Sequence, residues 1–176
     1  GEIIVSTVFG GDSFVICNSS DFDLKIKPDN ANKFVQISKE IVREANNKLG
    51  FSHPHLPKLN YISFCQFIEP TKINNLNQKE GLNTVCIRPG KLDRSPCGTG
   101  TSARLALMYA KNEIKLNEKF ISRSIIGSTF ESHIIEEYIE GNKQMIIPSI
   151  KGSAFITGEQ KIYISKDDPF PEGYKL

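Results

Sequence analysis

Between residues 99 and 111 the chain reads TGTSARLALMYAK, and Ala103, Leu105, Ala106, Leu107, Met108, Tyr109 and Ala110 leave a helix there almost no polar face. A helix that is apolar nearly all round has to be buried. The rest of the chain must therefore wall it in, and this constrains the architecture more than any other stretch. With 176 residues the chain is long enough to do so. A domain of this size buries roughly 70% of its extended-chain surface without disulfide or metal staples.

The material for that wall is strand-rich. Strands are expected at 2 to 8 and 14 to 17, turned by Gly10 and Gly11, then at 59 to 68 and 84 to 88. The last of these leads out through Pro89 and Gly90. Further strands are expected around 120 to 126, 130 to 139, 143 to 147, 153 to 157 and 161 to 165, with turns at Gly141 and Asn142 and at Gly158 and Glu159. The segment PTKINNLNQKEG, from 70 to 81, reads as a polar loop. One other helix opens at Pro28 and Asp29. Phe34, Ile37, Ile41 and Ala45 form its apolar stripe, and Gly50 is placed to end it. The expected fold is α/β of the α+β type. A mixed, mostly antiparallel sheet wraps around one central buried helix, and a second helix lies outside.

Composition narrows the class without naming an activity. Twenty-two Lys and Arg against twenty Asp and Glu give a net charge of +2, so electrostatics gives no reason to expect nucleic acid. At 39% hydrophobic and 24% charged, the chain is an ordinary globular sequence. No apolar run approaches the 18 residues of a membrane helix, so no membrane partner is expected. No signal peptide is visible ahead of the first strand.

The four cysteines are Cys17, Cys65, Cys86 and Cys97, and none belongs to a C-x-x-C pair. A zinc ribbon or thioredoxin-like motif is excluded on spacing. Cys17, Cys65 and Cys86 lie in apolar strand-like runs and read as small buried hydrophobes. Cys97 differs, because it lies in the sequence DRSPCGTGTSA, from 93 to 103. That is a glycine-permitted turn delivering a thiol to the first turn of the buried helix. Free amides at a helix N-terminus bind an anion such as a carboxylate, and they also favour a thiolate. Cys97 is therefore expected to carry a lowered pKa and act as base or nucleophile, with Asp93 available for a substrate ammonium.

Other readings of the same turn stay open. A glycine-threonine cluster also caps helices that bind nothing. A phosphate loop would need a Lys in the G-K-[ST] arrangement, which is missing. A cysteine hydrolase would need a histidine. His53 and His55 lie in a proline-rich loop, and His133 lies in a strand. The HPH spacing of the first two offers no third metal ligand, so no metal is expected.

DRSPCGTGTSA resembles the second active-site signature of the proline racemase family, which includes proline racemases, 4-hydroxyproline 2-epimerases and trans-3-hydroxyproline dehydratases. Three further segments are similar to that family: FGGDSFVI from 9 to 16, SIIGSTFES from 124 to 132, and IIPSIKGSAFITGEQKIYISKDDPFPEGY from 146 to 174. The resemblance implies a diaminopimelate-epimerase-like fold and cofactor-independent proton transfer between two cysteines on opposite faces of an α-carbon. It implies Cys97 as the second of those cysteines, Asp93 as the contact to the imino nitrogen, and the amides around Gly98 and Thr99 as the support for the carboxylate. Cysteine at position 97 argues against the dehydratase branch, which typically carries threonine there.

The departures from the family pattern matter as much. The family's first catalytic cysteine follows a methionine and precedes a glycine and a histidine. The only two methionines here, Met108 and Met145, precede no cysteine. Asp12 stands where asparagine is usual, and Leu82 precedes Asn83 where arginine is common. The expectation is that residues 1–176 form the C-terminal domain of a two-domain epimerase, inactive alone, with residues from about 150 packing on an absent N-terminal domain. TSARLAL, from 101 to 107, and SIIGSTF, from 124 to 130, resemble the bacterial 4-hydroxyproline epimerases slightly more than the proline racemases, so the resemblance implies 4-hydroxyproline as the substrate, with proline as the alternative. A non-catalytic imino-acid-binding domain is the alternative of a different class. Homodimer formation through exposed apolar surface and a cytoplasmic location suited to a reduced thiol complete the expectations.

Overall fold

The structure, a computed structural model, describes residues 1–88 and 90–175, so the exit through Pro89 lies outside the described residues. Among the described residues nine strands and two α-helices follow one another as β1 (Ser6–Phe9), β2 (Ser13–Asn18), α1 (Ala31–Lys48), β3 (Phe64–Ile68), β4 (Lys72–Ile73), β5 (Lys79–Ile87), β6 (Lys91–Leu92), α2 (Gly98–Ala110), β7 (Phe120–Arg123), β8 (Thr129–Glu140) and β9 (Lys143–Lys151). The sheet runs β1-β2-β3-β5-β7-β8-β9, with β4 and β6 also paired to β5. Among the described residues only β2 with β3 and β5 with β7 are parallel. The expected mixed, mostly antiparallel sheet is what forms.

Helix α2 packs against β1 and β2 near one edge of that sheet and against β8 and β9 at the other. A flat sheet could not touch one helix with both edges, so the sheet is curled around it. Thr101, Ala103 and Leu105 are fully buried, as burial of this helix demanded. Helix α1 covers the opposite face. Its Phe34, Ser38, Ile41 and Ala45 are buried, Ile37 packs alongside, and Phe34 meets the ring of Phe67 at 4.7 Å. Gly50 follows the helix at φ +66°, its amide on the Ala45 carbonyl.

Strand alternation divides the core. Val15, Cys17, Cys65, Phe67 and Cys86 face α1, whereas Phe14, Ile16 and Val85 face α2 together with Cys97 and Ala103. The sheet thus separates three of the four thiols from the fourth. All four are free.

Three expectations are corrected. Residues 70 to 81 are not all loop, because β4 and the start of β5 pair across a turn. There Asn74 Oδ1 accepts from the amides of Leu76 and Gln78, and Asn77 takes φ +57°. The first strand begins at Ser6 rather than at residue 2. No strand forms at 153 to 157 or 161 to 165; residues 153 to 175 are exposed, Ile156 at 93%. Their alternation suits a half-buried strand, but a strand needs a neighbour with a free edge, and no strand of the described residues pairs with them. No helix among the described residues is long and apolar enough to cross a membrane.

Candidate active site

Cys97 is the N-cap of α2, so the thiol occupies the place usually taken by a serine or aspartate oxygen. Its sulfur accepts from the Gly100 amide at 3.3 Å and lies 3.5 Å from the Thr99 hydroxyl. The Thr101 amide begins the regular ladder on the Cys97 carbonyl at 2.8 Å. The amides of Gly98 and Thr99 have no acceptor among the described residues. They leave two donors and the positive end of the helix beside the sulfur, an arrangement suited to a carboxylate.

The thiol itself corrects the expectation of a lowered pKa. Burial against Val85, Phe14 and Ala103 pushes Cys97 above its ordinary value. The Thr99 hydroxyl and Gly100 amide pull it part of the way back, and the Asp93 carboxylate adds to the upward push. The expectation counted the helix amides but not the burial, which is the larger influence here. Cys97 is therefore a thiol at neutral pH, beside donors that favour the thiolate once the proton has left.

The turn leading to Cys97 is held at several points. The Asp93 amide donates to the Val85 carbonyl, and its carboxylate accepts from the Ser95 hydroxyl at 3.5 Å. Ser95 Oγ accepts from the Cys97 amide at 3.1 Å. Asn83, fully buried on β5, donates to the Pro96 carbonyl at 2.8 Å and accepts from Ser122, which accepts from Thr101. Ser128 of the turn after β7 donates to the Arg94 carbonyl at 2.9 Å. On the other side, a Cβ at Gly10 would meet the Thr99 carbonyl and the Ala103 amide at 2.3 Å. Only a glycine lets the β1–β2 turn approach so closely.

The structure thus brings together Asp93, Cys97, Gly98 and Thr99, the candidate residues, with the turn at Gly10 and Gly11 and the turn ending at Ser128. The histidines lie elsewhere. His53 stacks edge-on against Phe9, His55 pairs with Glu140, and His133 stands opposite Ser149 in the β8–β9 ladder. No histidine among the described residues hydrogen-bonds the Cys97 thiol.

Sequence reasoning passed over Asn83 as a structural group and over Arg104 altogether. Arg104 is only 2% exposed in the middle of α2, donating to the carbonyls of Leu82 and Glu69 with its charge above the Phe120 ring. Burial lowers its pKa to about 10. The available signal was polarity inside apolar runs, since an Asn in GLNTVCI or an Arg in SARLAL needs partners if buried.

A family model described as proline racemase matches residues 1–175. The chain belongs to the proline racemase family. Two solved structures carry the same fold. One is a hydroxyproline epimerase from Agrobacterium vitis with bound trans-4-OH-L-proline, at 30% identity and a TM-score of 0.82, covering 100% of this chain and 49% of that one. The other is a probable proline racemase from Agrobacterium radiobacter K84 with bound carbonate, at 31% identity and a TM-score of 0.81, covering 100% and 50%. This chain therefore spans about half the length of these solved relatives. Its fold is the diaminopimelate-epimerase-like fold of the proline racemase family.

Proposed function

We propose that this chain is one half of an amino-acid epimerase that inverts the α-carbon of 4-hydroxyproline without a cofactor, and that Cys97 is one of two proton-transferring cysteines. The observation that carries the reading is the Cys97 thiol at the N-terminus of α2, beside the free amides of Gly98 and Thr99, in a proline racemase family chain. In this reading the substrate carboxylate lies on those two amides. As a base removes the α-proton from one face, negative charge spreads onto the carboxylate, and the amides stabilise it. The Cys97 S–H gives its proton to the other face, and the Gly100 amide and Thr99 hydroxyl receive the thiolate left behind. Asp93 holds the substrate's ammonium nitrogen. In the reverse direction the Cys97 thiolate is the base.

The opposing base is assigned to the absent half. Cys17, Cys65 and Cys86 lie across the sheet from Cys97, under α1, so none can reach the second face of a substrate at the α2 N-terminus. The same half is the proposed occupant against the exposed apolar residues of the tail, among them Phe155, Ile156 and Ile164. The catalytic thiol fits a reducing, cytoplasmic setting.

Proline racemisation is the second reading, favoured by the probable proline racemase among the solved relatives, whose identity differs from that of the epimerase by one percentage point. Chiral chromatography of trans-4-hydroxy-L-proline and L-proline decides. The isolated chain is expected to convert neither. The chain joined to an N-terminal half bearing the second cysteine is expected to convert hydroxyproline, and to lose that activity with Cys97→Ser. Turnover by the isolated chain that Cys97→Ser abolishes would sink the two-cysteine division. Binding without turnover by the joined protein would favour an imino-acid-binding domain.

A further inference from the structure

Cys97 has a backbone that a residue with a side chain rarely adopts, φ +67° and ψ 120°, although glycines stand beside it on both the next and third positions. Something must hold it there, because the left-handed side of φ crowds Cβ against the backbone. The peptide bond joining Pro96 to Cys97 shows what does. Its carbonyl accepts from Asn83 Nδ2 at 2.8 Å, and its N–H donates to Ser95 Oγ at 3.1 Å. One rigid plane is gripped at both polar ends by side chains from different parts of the chain.

Each grip is itself oriented. The Pro96 carbonyl can only accept, so the Asn83 amide must turn its nitrogen toward it. The Ser122 hydroxyl, 2.7 Å from Asn83 Oδ1, donates to the other end of that amide and accepts from Thr101 at 3.2 Å. Asn83, Ser122 and Thr101 are all buried, so a rotated amide would leave groups unpaired away from water. On the other side, the Ser95 hydroxyl points its proton at Asp93, which leaves a lone pair for the Cys97 amide. The plane is thereby tied to β5, β7 and the first turn of α2 at once.

We propose that Asn83 and Ser95 are positioning residues that clamp the peptide bond between Pro96 and Cys97 and so hold the Cys97 thiol in line with the free amides of α2. The proposal rests on the reading of Cys97 as a proton-transferring residue, but its geometry is testable on this chain alone. If the clamp is released, Cys97 relaxes toward ordinary φ and its sulfur leaves the pocket formed with Val85 and Gly100.

Iodoacetamide alkylation of Cys97, followed against pH by peptide mapping, reads this directly. Ser95→Ala, at a half-exposed loop position, is expected to raise the high-pH plateau rate about three- to tenfold. It should also move the midpoint down toward the ordinary thiol value, because exposure removes the dominant influence on the sulfur. Ser95→Thr, which keeps a hydroxyl acceptor, should restore the native profile, and Asn83→Leu should act in the same direction as Ser95→Ala. The double variant should fall short of the product of the two, since both release one peptide. Ser102→Ala removes a hydroxyl from the same helix turn without touching that peptide, and should leave the profile unchanged. Ser95→Ala within twofold of the native profile, or Ser102→Ala equal to Ser95→Ala, would overturn the clamp. In the joined two-half enzyme, Ser95→Ala should lower kcat more than it raises KM. An alkylation shift in a joined enzyme that never inverts substrate would leave the clamp standing and remove the epimerase reading.

Discussion

Gly10→Ala should be among the most damaging single-methyl changes in this chain. The added Cβ would lie 2.3 Å from both Ala103 N and Thr99 O and 2.9 Å from Ala103 Cα, whereas ordinary contact begins near 3.4 Å. The turn and the helix must therefore part by about 1 Å. Neither side yields easily. The obstructing atoms are helix backbone, with Thr101, Ala103 and Leu105 fully buried, and the turn is closed by a 2.9 Å bond from the Gly10 amide to the Asp12 carbonyl. Gly10 is not among the positive-φ residues, so the cost is steric alone. Overpacking of this kind belongs at the upper end of its usual range, about 3 kcal/mol. For a chain of this length that lowers Tm by roughly 6–12 °C. Gly50→Ala separates the two possible causes. There φ is +66° and nothing lies within 4 Å, so only the left-handed backbone cost applies, about 1–2 kcal/mol. Urea unfolding followed by far-UV circular dichroism gives both values, and the chain's lack of tryptophan makes that signal preferable to fluorescence. If Gly10→Ala costs no more than Gly50→Ala, the sheet does not close on α2 as described.

Alkaline pH should destabilise the protein through its buried thiols. The folded-state pKa of Cys86 is pushed up to about 11 from 9.0, and those of Cys65 and Cys97 also rise, all chiefly by burial. Their contribution is complete below the unfolded value and is lost as pH climbs from it through the folded value. For Cys86 alone that is about 3 kcal/mol, and a urea midpoint that stays flat from pH 8 to 11 would contradict it. Arg104→Met should cost about 1–3 kcal/mol, because the Glu69 carbonyl loses its buried donor while the Leu82 carbonyl keeps only the Glu69 amide; a change under about 0.5 kcal/mol in urea unfolding would show that the Glu69 carbonyl finds another partner. Gln66 is fully buried and neither end of its amide has a partner among the described residues, so Gln66→Met should stabilise by about 1 kcal/mol, and a lowered Tm would count against this. Ending the chain at Gly152 should change unfolding free energy by less than about 0.5 kcal/mol, since the tail is exposed and unpaired. A larger loss in urea unfolding would place the tail against the domain.

What could be read from the sequence was whatever depends on local spacing. The stripe of Phe34, Ile37, Ile41 and Ala45 specifies α1, and the apolar run after Ala103 specifies a helix that must be enclosed. The hairpin turn at Gly141, φ +62°, also follows from its neighbours alone. The misread parts depend on partners far along the chain. Alternation around 153 to 165 encodes a surface fit for a sheet, yet pairing needs an edge that no local letter supplies. Polar letters from 70 to 81 suggest a loop until Asn74 bonds its own turn and β5 finds β7. Arg104 reads as a wet residue because its acceptors are the carbonyls of Leu82 and Glu69, 22 and 35 positions away.

The same distinction explains the candidate site. DRSPCGTGTSA announces a thiol at a helix N-terminus, and the thiol is there. Its acidity is decided by Phe14, Val85 and Ala103, which other strands and the helix itself bring around it, and they reverse the sign expected from the amides. Its neighbours are decided by strand parity. Side chains alternate along β2, β3 and β5, so Cys17, Cys65 and Cys86 all fall on the α1 face while Val85, one residue before Cys86, faces Cys97. A slip of one residue in β5 would carry Cys86 to the α2 side and break the Asn83 bond to Pro96 at the same time. The register that keeps the other thiols away from Cys97 is therefore the register that holds Cys97 in place.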